Sequence, residues 1–209
     1  MELTYLTHSG DDLLVVNAAR VSFAKESKEL SSKDAKLIHY LAEHKHCLPF
    51  RHPTVTFRCK APLFVARQLG KHQVGFSWSE ESRRYISSQP EFYFPDKWRK
   101  KADNVKQGSL DEPVDNEEYV ADIYTQVLGF IRAAYTELLD NGVAPEQARL
   151  VFPSCAMINW VWTGSLLGWA QLYRERSVDS AQVETREFVK LIGKEMEKLF
   201  PVSWTALLG

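Results

Sequence analysis

The sequence predicts a single α+β domain spanning residues 1–209. Two observations indicate this class: one segment near residue 55 alternates apolar with polar residues, whereas the second half carries apolar residues mainly at helical spacing. A chain of 209 residues, 44% of them hydrophobic and 12% aromatic, can bury one ordinary core. The second half of the chain is therefore expected to be mostly helical.

The first third of the chain predicts two strands and two helices. Residues 13–16 form an apolar run typical of a short strand, and Ser31 or Ser32 is expected to cap a helix with a buried apolar stripe. Residues 54–59 alternate Val and Phe with Thr and Arg and predict a strand. That strand is expected to lead into a helix that begins at Pro62 and carries polar residues at its C-terminal end.

The middle of the chain predicts loops and then a long helix. Gly75 and the serines after it are expected to form a loop, and residues 87–116 are interpreted as a long surface excursion. Apolar residues in 116–139 recur at helical spacing and are followed by Asn141-Gly142, a typical C-terminal stop. This segment predicts a long structural helix.

The last third predicts three more helices. Pro145 is expected to open one with Glu146 in its first turn, and residues 157–173 form an aromatic, apolar segment interpreted as a helix at a subunit interface. Residues 180–199 place apolar side chains on one face, which predicts an amphipathic closing helix.

Charge and cysteine content exclude several classes of protein. The net charge of −1 argues against bulk nucleic-acid binding, and no apolar stretch approaches the roughly 20 residues that a membrane span needs. The three cysteines, Cys47, Cys59 and Cys155, are far apart with no C-x-x-C pair, so neither a disulfide framework nor a metal site is indicated. We expect a protein of the cytoplasm that binds no metal, nucleic acid or membrane.

A dense polar segment, residues 67–85, indicates a binding site. Lys71, His72, Arg83 and Arg84 could converge on an anion, most simply a phosphate, with Glu80 between them. The competing interpretation is a solvated charged face, which is the more common meaning of a charge run.

The same segment resembles the signature of flavin-dependent thymidylate synthases, R-H-R-x-x-S-x-N-E-x-S-x-R-Y, when one residue is inserted before Ser77. Residues 17–23, 46–52, 148–153, 162–166 and 176–184 are similar to other blocks of that family in the same order. Lys71 and Gln73 stand where the family usually has Arg, and Ser79 stands where it usually has Asn. Further along, Ser165, Leu167 and Gln171 stand where many members have Asn, Arg, and Asn or His, which is typical of a divergent, phage-like branch.

This resemblance implies a fold and an activity. The expected fold has a central, mostly antiparallel sheet flanked by helices, in a homotetramer that holds the flavin between subunits. The expected reaction is reductive methylation of dUMP to dTMP, with methylenetetrahydrofolate as one-carbon donor and FAD reduced by NADPH. The absence of a G-x-G-x-x-G motif does not count against flavin, because the family binds FAD without one.

The resemblance also implies roles for particular residues. Arg176 is the expected catalytic residue, since a fixed cation against the pyrimidine would favour ionised N3 and so activate C5. The dUMP site is expected to contain Gln68, Lys71, Glu80, Ser82, Arg83, Arg84, Arg149 and Arg176. The FAD site is expected to contain His46, Lys71, His72, Gln73, Glu80, Ser165, Leu167 and Gln171.

Two alternatives to thymidylate synthesis stay open at this point. The substitutions at Lys71, Gln73 and Ser79 could suit a related flavin enzyme that methylates or hydroxymethylates another pyrimidine nucleotide. They could also belong to a homologue that binds nucleotide without catalysis. A nucleophilic Cys of the flavin-independent synthases is not supported, because no cysteine has an activating cationic setting.

Overall fold

The computed structural model describes residues 1–103 and 108–209 and is an α+β structure. Its elements divide between two compact units, one made of Met1–Cys59, Leu69–Ser79 and Trp160–Gly209 and the other of Lys60–Gln68 and Glu80–Asn159. We call these unit 1 and unit 2. The prediction of one domain over residues 1–209 stays a prediction.

Unit 1 carries the sheet. Strand β1 is Glu2–Ser9, β2 is Thr54–Pro62, β3 is Phe76–Glu80 and β6 is Met157–Ser165, and they pair in the order β1-β2-β6-β3. The expected antiparallel sheet is confirmed. Three of these strands extend a few residues beyond unit 1.

Five α-helices of unit 1 accompany the sheet. They are α1 (Asp12–Arg20), α2 (Ser32–Glu43), α6 (Leu166–Arg176), α7 (Val183–Leu199) and α8 (Pro201–Leu208), with short 3-10 turns at Val21–Phe23 and Pro49–Arg51. The core contains Phe57, Trp162, Trp169 and Phe188, all with no exposed surface. The predicted strand at 54–59, the cap of α2 by Ser31 and the amphipathic α7 are confirmed.

Unit 2 contains α3 (Leu63–Leu69, all but its last residue), α4 (Glu117–Asp140) and α5 (Pro145–Ala148), followed by a 3-10 turn at Arg149–Val151. Strands β4 (Arg99–Lys101) and β5 (Ser109–Pro113) pair antiparallel. The predicted α4, its end at Asn141-Gly142 and the start of α5 at Pro145 are confirmed, with Gly142 at φ 80°. Among the described helices, none is long and apolar enough to cross a membrane.

The strand predicted for residues 13–16 is wrong, because they lie in α1. The side chain of Asp11 accepts a hydrogen bond from the Leu14 backbone and so caps the helix. Asp12, Val15 and Val16 are then buried at helical spacing. A good cap and a buried helical face outweigh the β-propensity of the Val pair.

The loop predicted after Gly75 is wrong in part, whereas the excursion predicted for 87–116 lies mostly at the surface in its described residues. Phe76 and Trp78 alternate with exposed Ser77 and Ser79, which is the period of the strand β3. The excursion contains β4 and β5, and its residues 104–107 lie outside the described part of the chain.

The helix predicted for 157–173 begins only at Leu166, since residues before it form β6. Trp160, Trp162 and Gly164 are buried on alternate positions, so the period is two and not 3.6. These tryptophans and Trp169 are buried within unit 1, which accounts for them without a subunit interface. No pattern in the sequence indicated β1, or α8 as a separate helix.

Candidate active site

A cavity of about 300 Å³ lies in unit 1 between the end of β6, the start of α6 and the turn before β3. It lies at the small end of the range that holds cofactors. Hydroxyl groups, glycines and one cation make up most of its wall. The lining residues are Arg51, Thr54, Val74, Gly75, Ser77, Thr163, Gly164, Ser165, Leu167, Gly168 and Gln171.

Glycines keep the backbone of this cavity bare. Gly75 has φ 80°, a left-handed conformation, and a Cβ there would lie 2.7 Å from Oγ of Ser165. A Cβ on Gly164 would lie 2.3 Å from the Phe76 ring. A side chain at Gly75 would therefore collide with the cavity wall, and one at Gly164 would collide with aromatic rings that are not part of that wall.

Ser165 joins the cavity wall to helix α6. Its Oγ accepts a hydrogen bond from the Gly168 backbone at 3.2 Å, and its own N–H donates to the Gly75 carbonyl at 2.9 Å. The predicted flavin residues Ser165, Leu167 and Gln171 thus share one cavity. Bare backbone, hydroxyl donors, a helix N-terminus and a cation suit phosphate groups, so the residues present fit the phosphate-bearing part of a flavin nucleotide.

Arg176 and His72 are in direct contact in unit 1. The Nε of Arg176 donates to Nε2 of His72 at 2.9 Å, and Nδ1 of His72 lies 3.9 Å from a carboxylate oxygen of Glu175. Burial and then the Arg176 cation lower the pKa of His72, while Glu175 opposes the shift. A neutral His72 with its proton on Nδ1 accepts this bond and so orients the guanidinium.

Five of the eight predicted flavin residues lie outside the cavity wall: His46, Lys71, His72, Gln73 and Glu80. His46 is exposed, with its ring centroid 6.0 Å from that of Tyr40, and Lys71 and Gln73 are exposed in the turn after α3. Within the described chain, none of these five residues lines the cavity.

The predicted phosphate loop of unit 2 is a tight turn. The Tyr85 backbone donates to the Ser82 carbonyl at 3.1 Å, and the Ser82 Oγ lies 3.4 Å from the Arg84 backbone N–H. Glu80 is exposed at the end of β3, and Gln68 is half-buried in the last turn of α3.

Arg84 and Arg149 are brought together at one residue. The Nε of Arg84 lies 3.2 Å from a carboxylate oxygen of Glu146, and the Nε of Arg149 donates to the Glu146 carbonyl at 3.2 Å. The Arg84 side chain is 54% exposed, so the ion pair with Glu146 is open to exchange with another anion. Two sequence-distant cations therefore occupy one patch.

Arg83 is engaged in a different way. Its guanidinium donates to the Ser88 carbonyl at 2.7 Å and lies 5.8 Å from the centre of the Phe152 ring. This side chain stabilises the turn through Nη1, which leaves its other guanidinium N–H groups and its backbone N–H for a ligand.

Sequence reasoning missed eight of the eleven lining residues, of which four have polar or charged side chains: Arg51, Thr54, Ser77 and Thr163. The family resemblance was the available signal, because Arg51 and Thr163 lie inside the blocks 46–52 and 162–166 and Ser77 stands at a matched position of the signature. Thr54, Ser77 and Thr163 lie on three strands that pair side by side in the sheet, a proximity that spacing along the chain does not reveal.

The cysteines do not form a nucleophilic or metal site. Burial raises the pKa of the Cys59 thiol, which disfavours the thiolate, and all three cysteines are free. In the part of the chain that the structure describes, no cluster of His, Cys, Asp and Glu could hold a metal ion.

Comparison with known sequences identifies the family. The profile of the family described as Thymidylate synthase complementing protein, Thy1, matches residues 4–202. The chain is 37% identical over 202 residues to the flavin-dependent thymidylate synthase of Thermosipho africanus, covering 95% of this chain and 87% of that one. It is 36% identical over 197 residues to an enzyme of the same name from Thermus thermophilus, covering 94% and 72%.

Solved structures agree with this relationship. A UMP/dUMP methylase, PolB from Streptomyces cacaoi with bound 5-Br UMP, superposes with a TM-score of 0.87 at 28% identity, over 98% of this chain and 92% of PolB. The α+β fold, the family match and the named relatives together define an enzyme of the methyltransferase class. The chain belongs to the Thy1 family, that of the flavin-dependent thymidylate synthases, and the family implies a flavin cofactor.

Proposed function

We propose that this protein methylates dUMP reductively to dTMP, with methylenetetrahydrofolate as one-carbon donor and FAD reduced by NADPH. The observation that carries the proposal is the cavity of unit 1, which joins Ser165, Leu167 and Gln171 at the start of α6. Its glycine-lined wall fits a phosphate-bearing cofactor. The names of the relatives, 36–37% identical, supply the reaction class.

The cofactor, when bound, supplies the hydride chemistry, and the protein supplies binding and orientation. We assign FAD to the cavity residues together with His72, and we keep His46, Lys71, Gln73 and Glu80 as further FAD contacts. The structure supports this second group less directly, because all four residues are exposed outside the cavity wall.

Arg176 is the proposed catalytic residue. Its guanidinium retains one bond to His72 and keeps its remaining N–H groups for the pyrimidine. A cation held against the base favours negative charge at N3 and so makes C5 more nucleophilic. Because His72 accepts from Arg176 only while Nε2 is unprotonated, acid would release the guanidinium from this orientation.

The proposed dUMP phosphate site is the turn of unit 2. Ser82 supplies a hydroxyl, Arg83 a backbone N–H, and Arg84 and Arg149 supply guanidinium groups that meet at Glu146. A phosphate would replace the Glu146 carboxylate at Arg84. Gln68, Lys71 and Glu80 are assigned to the same nucleotide.

A homotetramer is part of the proposal. Helix α4 exposes an apolar stripe of Tyr119, Ile123, Val127 and Phe130, with 46–75% of each residue accessible. Such a stripe at spacings of three and four residues is typical of a helix that packs against another chain. We also propose the cytoplasm as the compartment, which the three free cysteines support.

A second candidate is methylation of a related pyrimidine nucleotide. The similarity to a UMP/dUMP methylase favours it, because that protein is named for both the ribose and the deoxyribose nucleotide. Hydroxymethyl transfer and nucleotide binding without catalysis are the remaining alternatives. Comparing dUMP and UMP as substrates, with mass analysis of the product, separates these possibilities.

The visible absorption spectrum of the purified protein tests the proposal. We expect added FAD to bind and its absorption bands to shift when dUMP is added, because nucleotide and flavin are proposed to be in contact. FAD that binds without any response to dUMP or UMP would argue against a shared site. Protein that binds no flavin would favour the non-catalytic alternative.

A further inference from the structure

Arg51 is the one cation in the wall of the unit 1 cavity, as far as the described residues show. It ends the 3-10 turn Pro49–Arg51, whose residues Pro49 and Phe50 are buried, so the turn is anchored while the arginine is exposed. No hydrogen bond or ion pair joins the Arg51 guanidinium to any residue of the described ranges. The cation therefore faces a cavity without a protein counter-ion.

The backbone beside Arg51 is fixed to helix α6. The Leu166 N–H donates to the Pro53 carbonyl at 2.9 Å, and Nε1 of Trp169 donates to the Val55 carbonyl at 3.3 Å. These two bonds hold the segment after Arg51 against the first turn of α6. The position of Arg51 at the cavity is thus set by buried contacts and not by the arginine itself.

The rest of the wall has the chemistry of an anion site. Among the lining residues of the described chain there is no Asp or Glu, while Thr54, Ser77 and Thr163 contribute hydroxyl groups. The N-terminal end of α6, capped by Ser165, adds the positive end of a helix dipole. Arg51, the hydroxyl groups and the helix end all favour negative charge in the same cavity.

We propose that Arg51 binds the phosphates of the flavin dinucleotide in this cavity. The inference rests on the proposed function, since it takes FAD as the occupant. Arginine is suited to the task because its planar guanidinium donates two parallel hydrogen bonds to phosphate oxygens. Lys71 and Gln73, which the sequence suggested for the cofactor, lie outside the cavity wall. The positive charge inside the cavity therefore comes from Arg51.

The test compares ligands that differ in their phosphates. Dissociation constants of FAD and of riboflavin, which has no phosphate, are measured by flavin fluorescence for the wild type, Arg51→Gln, Arg51→Lys and Arg58→Gln. Arg58 is a matched control because it is an exposed arginine on β2 outside the cavity wall. Thermal unfolding of each apoprotein establishes that the variants fold.

We expect Arg51→Gln to weaken FAD binding about 10-fold to 100-fold, in line with loss of a charged hydrogen bond, and to leave riboflavin binding unchanged. Arg51→Lys should fall between wild type and Arg51→Gln, because it keeps the charge without the paired donors. Arg58→Gln should bind both ligands as the wild type does. The FAD affinity of Arg51→Gln should also depend less on salt than that of the wild type.

Three results would overturn the proposal. If Arg51→Gln binds FAD as tightly as wild type, Arg51 does not hold the phosphates. If it loses FAD and riboflavin equally, or loses no more FAD affinity than Arg58→Gln, its effect is not on the phosphates. If the wild type binds neither flavin, the proposed function itself fails and takes this inference with it, an outcome distinct from the first two.

Discussion

Replacing Gly75 with alanine should damage the cavity of unit 1 in a way that the structure specifies. Gly75 has φ 80°, and its added Cβ would lie 2.7 Å from the Ser165 hydroxyl oxygen. That hydroxyl caps α6 by accepting from the Gly168 backbone. The substitution therefore combines backbone strain at residue 75 with a steric clash against the buried Ser165 hydroxyl that caps α6.

The two contributions can be given magnitudes. A left-handed backbone costs an alanine roughly 1–2 kcal/mol relative to glycine. Displacing the Ser165 hydroxyl adds about 1–2 kcal/mol, from a lost cap and from overpacking. We expect Gly75→Ala to lower the free energy of unfolding by roughly 3 kcal/mol, the sum of these two contributions.

Gly142→Ala is the matched control in a denaturant unfolding assay. Gly142 also has φ 80°, but no atom would lie within 4 Å of a Cβ added there, so only the roughly 1–2 kcal/mol of backbone strain applies. The Ser165→Ala background should rescue part of the loss, because Cβ of residue 165 is 3.7 Å from the added methyl, an ordinary contact. FAD affinity of Gly75→Ala should fall as well.

The reasoning would be refuted if Gly75→Ala and Gly142→Ala lost the same free energy of unfolding. It would also fail if the double variant Gly75→Ala/Ser165→Ala were no more stable than the sum of the two single changes predicts.

Three further predictions concern other contacts. Arg176→Gln should lower turnover about 100-fold to 1,000-fold with little change in thermal midpoint, and it should raise the pKa of His72, measured by NMR, because the Arg176 cation helps to lower it. Because the pKa of His72 is lowered on folding, the unfolded chain binds a proton at His72 more readily than the folded protein does. The stability that neutral His72 contributes is therefore present above pH 6.5 and is lost as pH falls through the folded-state pKa. His72→Gln should reduce the pH dependence of the free energy of unfolding, measured by denaturant titration at several pH values. Asp12→Ala should lower the free energy of unfolding by about 3 kcal/mol, because the Asp12 carboxylate accepts from the Val202 and Ser203 backbones at 2.9 Å each and caps α8.

Each of these has a contrary result. Near-normal turnover in Arg176→Gln would mean that Arg176 is not catalytic. An unchanged pKa of His72 in that variant would mean that the two side chains are not electrostatically coupled. If the free energy of unfolding depended on pH equally in the wild type and in His72→Gln, titrating groups other than His72 would be responsible for that dependence. If Asp12→Ala lowered the free energy of unfolding by less than roughly 1 kcal/mol, water would be replacing the carboxylate at the start of α8.

Local signals predicted several elements well. Ser31 with Asp34 forms the capping box of α2, and Asn141-Gly142 ends α4, because these features act within a few residues of each other. The strand β2 follows from its alternation of buried and accessible residues. Each of these segments carries one clear period and a clear boundary.

Other elements depended on burial that the sequence does not show. Residues 157–165 are rich in aromatic residues, which suit a strand or a buried helix, and only the paired neighbours β2 and β3 decide for the strand. Similarly, the serines near Gly75 suggested a loop, although Phe76 and Trp78 pack on Trp162 and Trp160 and hold β3 in the sheet.

In the candidate site, too, some features could be predicted from the sequence and others depend on tertiary contacts. The family resemblance pointed to His72, Arg149, Ser165 and Arg176, and the structure adds how they are held: His72 orients Arg176, and Glu146 joins Arg149 to Arg84. Arg51 could not be predicted as a cavity residue, because its place depends on the bond between the Pro53 carbonyl and the start of α6.

Product analysis of a complete reaction tests the central claim most directly. The protein is incubated with dUMP, methylenetetrahydrofolate, FAD and NADPH, and the nucleotides are separated and identified by mass spectrometry, with Arg176→Gln and a reaction lacking FAD as controls. We predict dTMP in the complete reaction and none without flavin. Unchanged dUMP in the complete reaction, from protein that binds FAD and dUMP, would contradict the account.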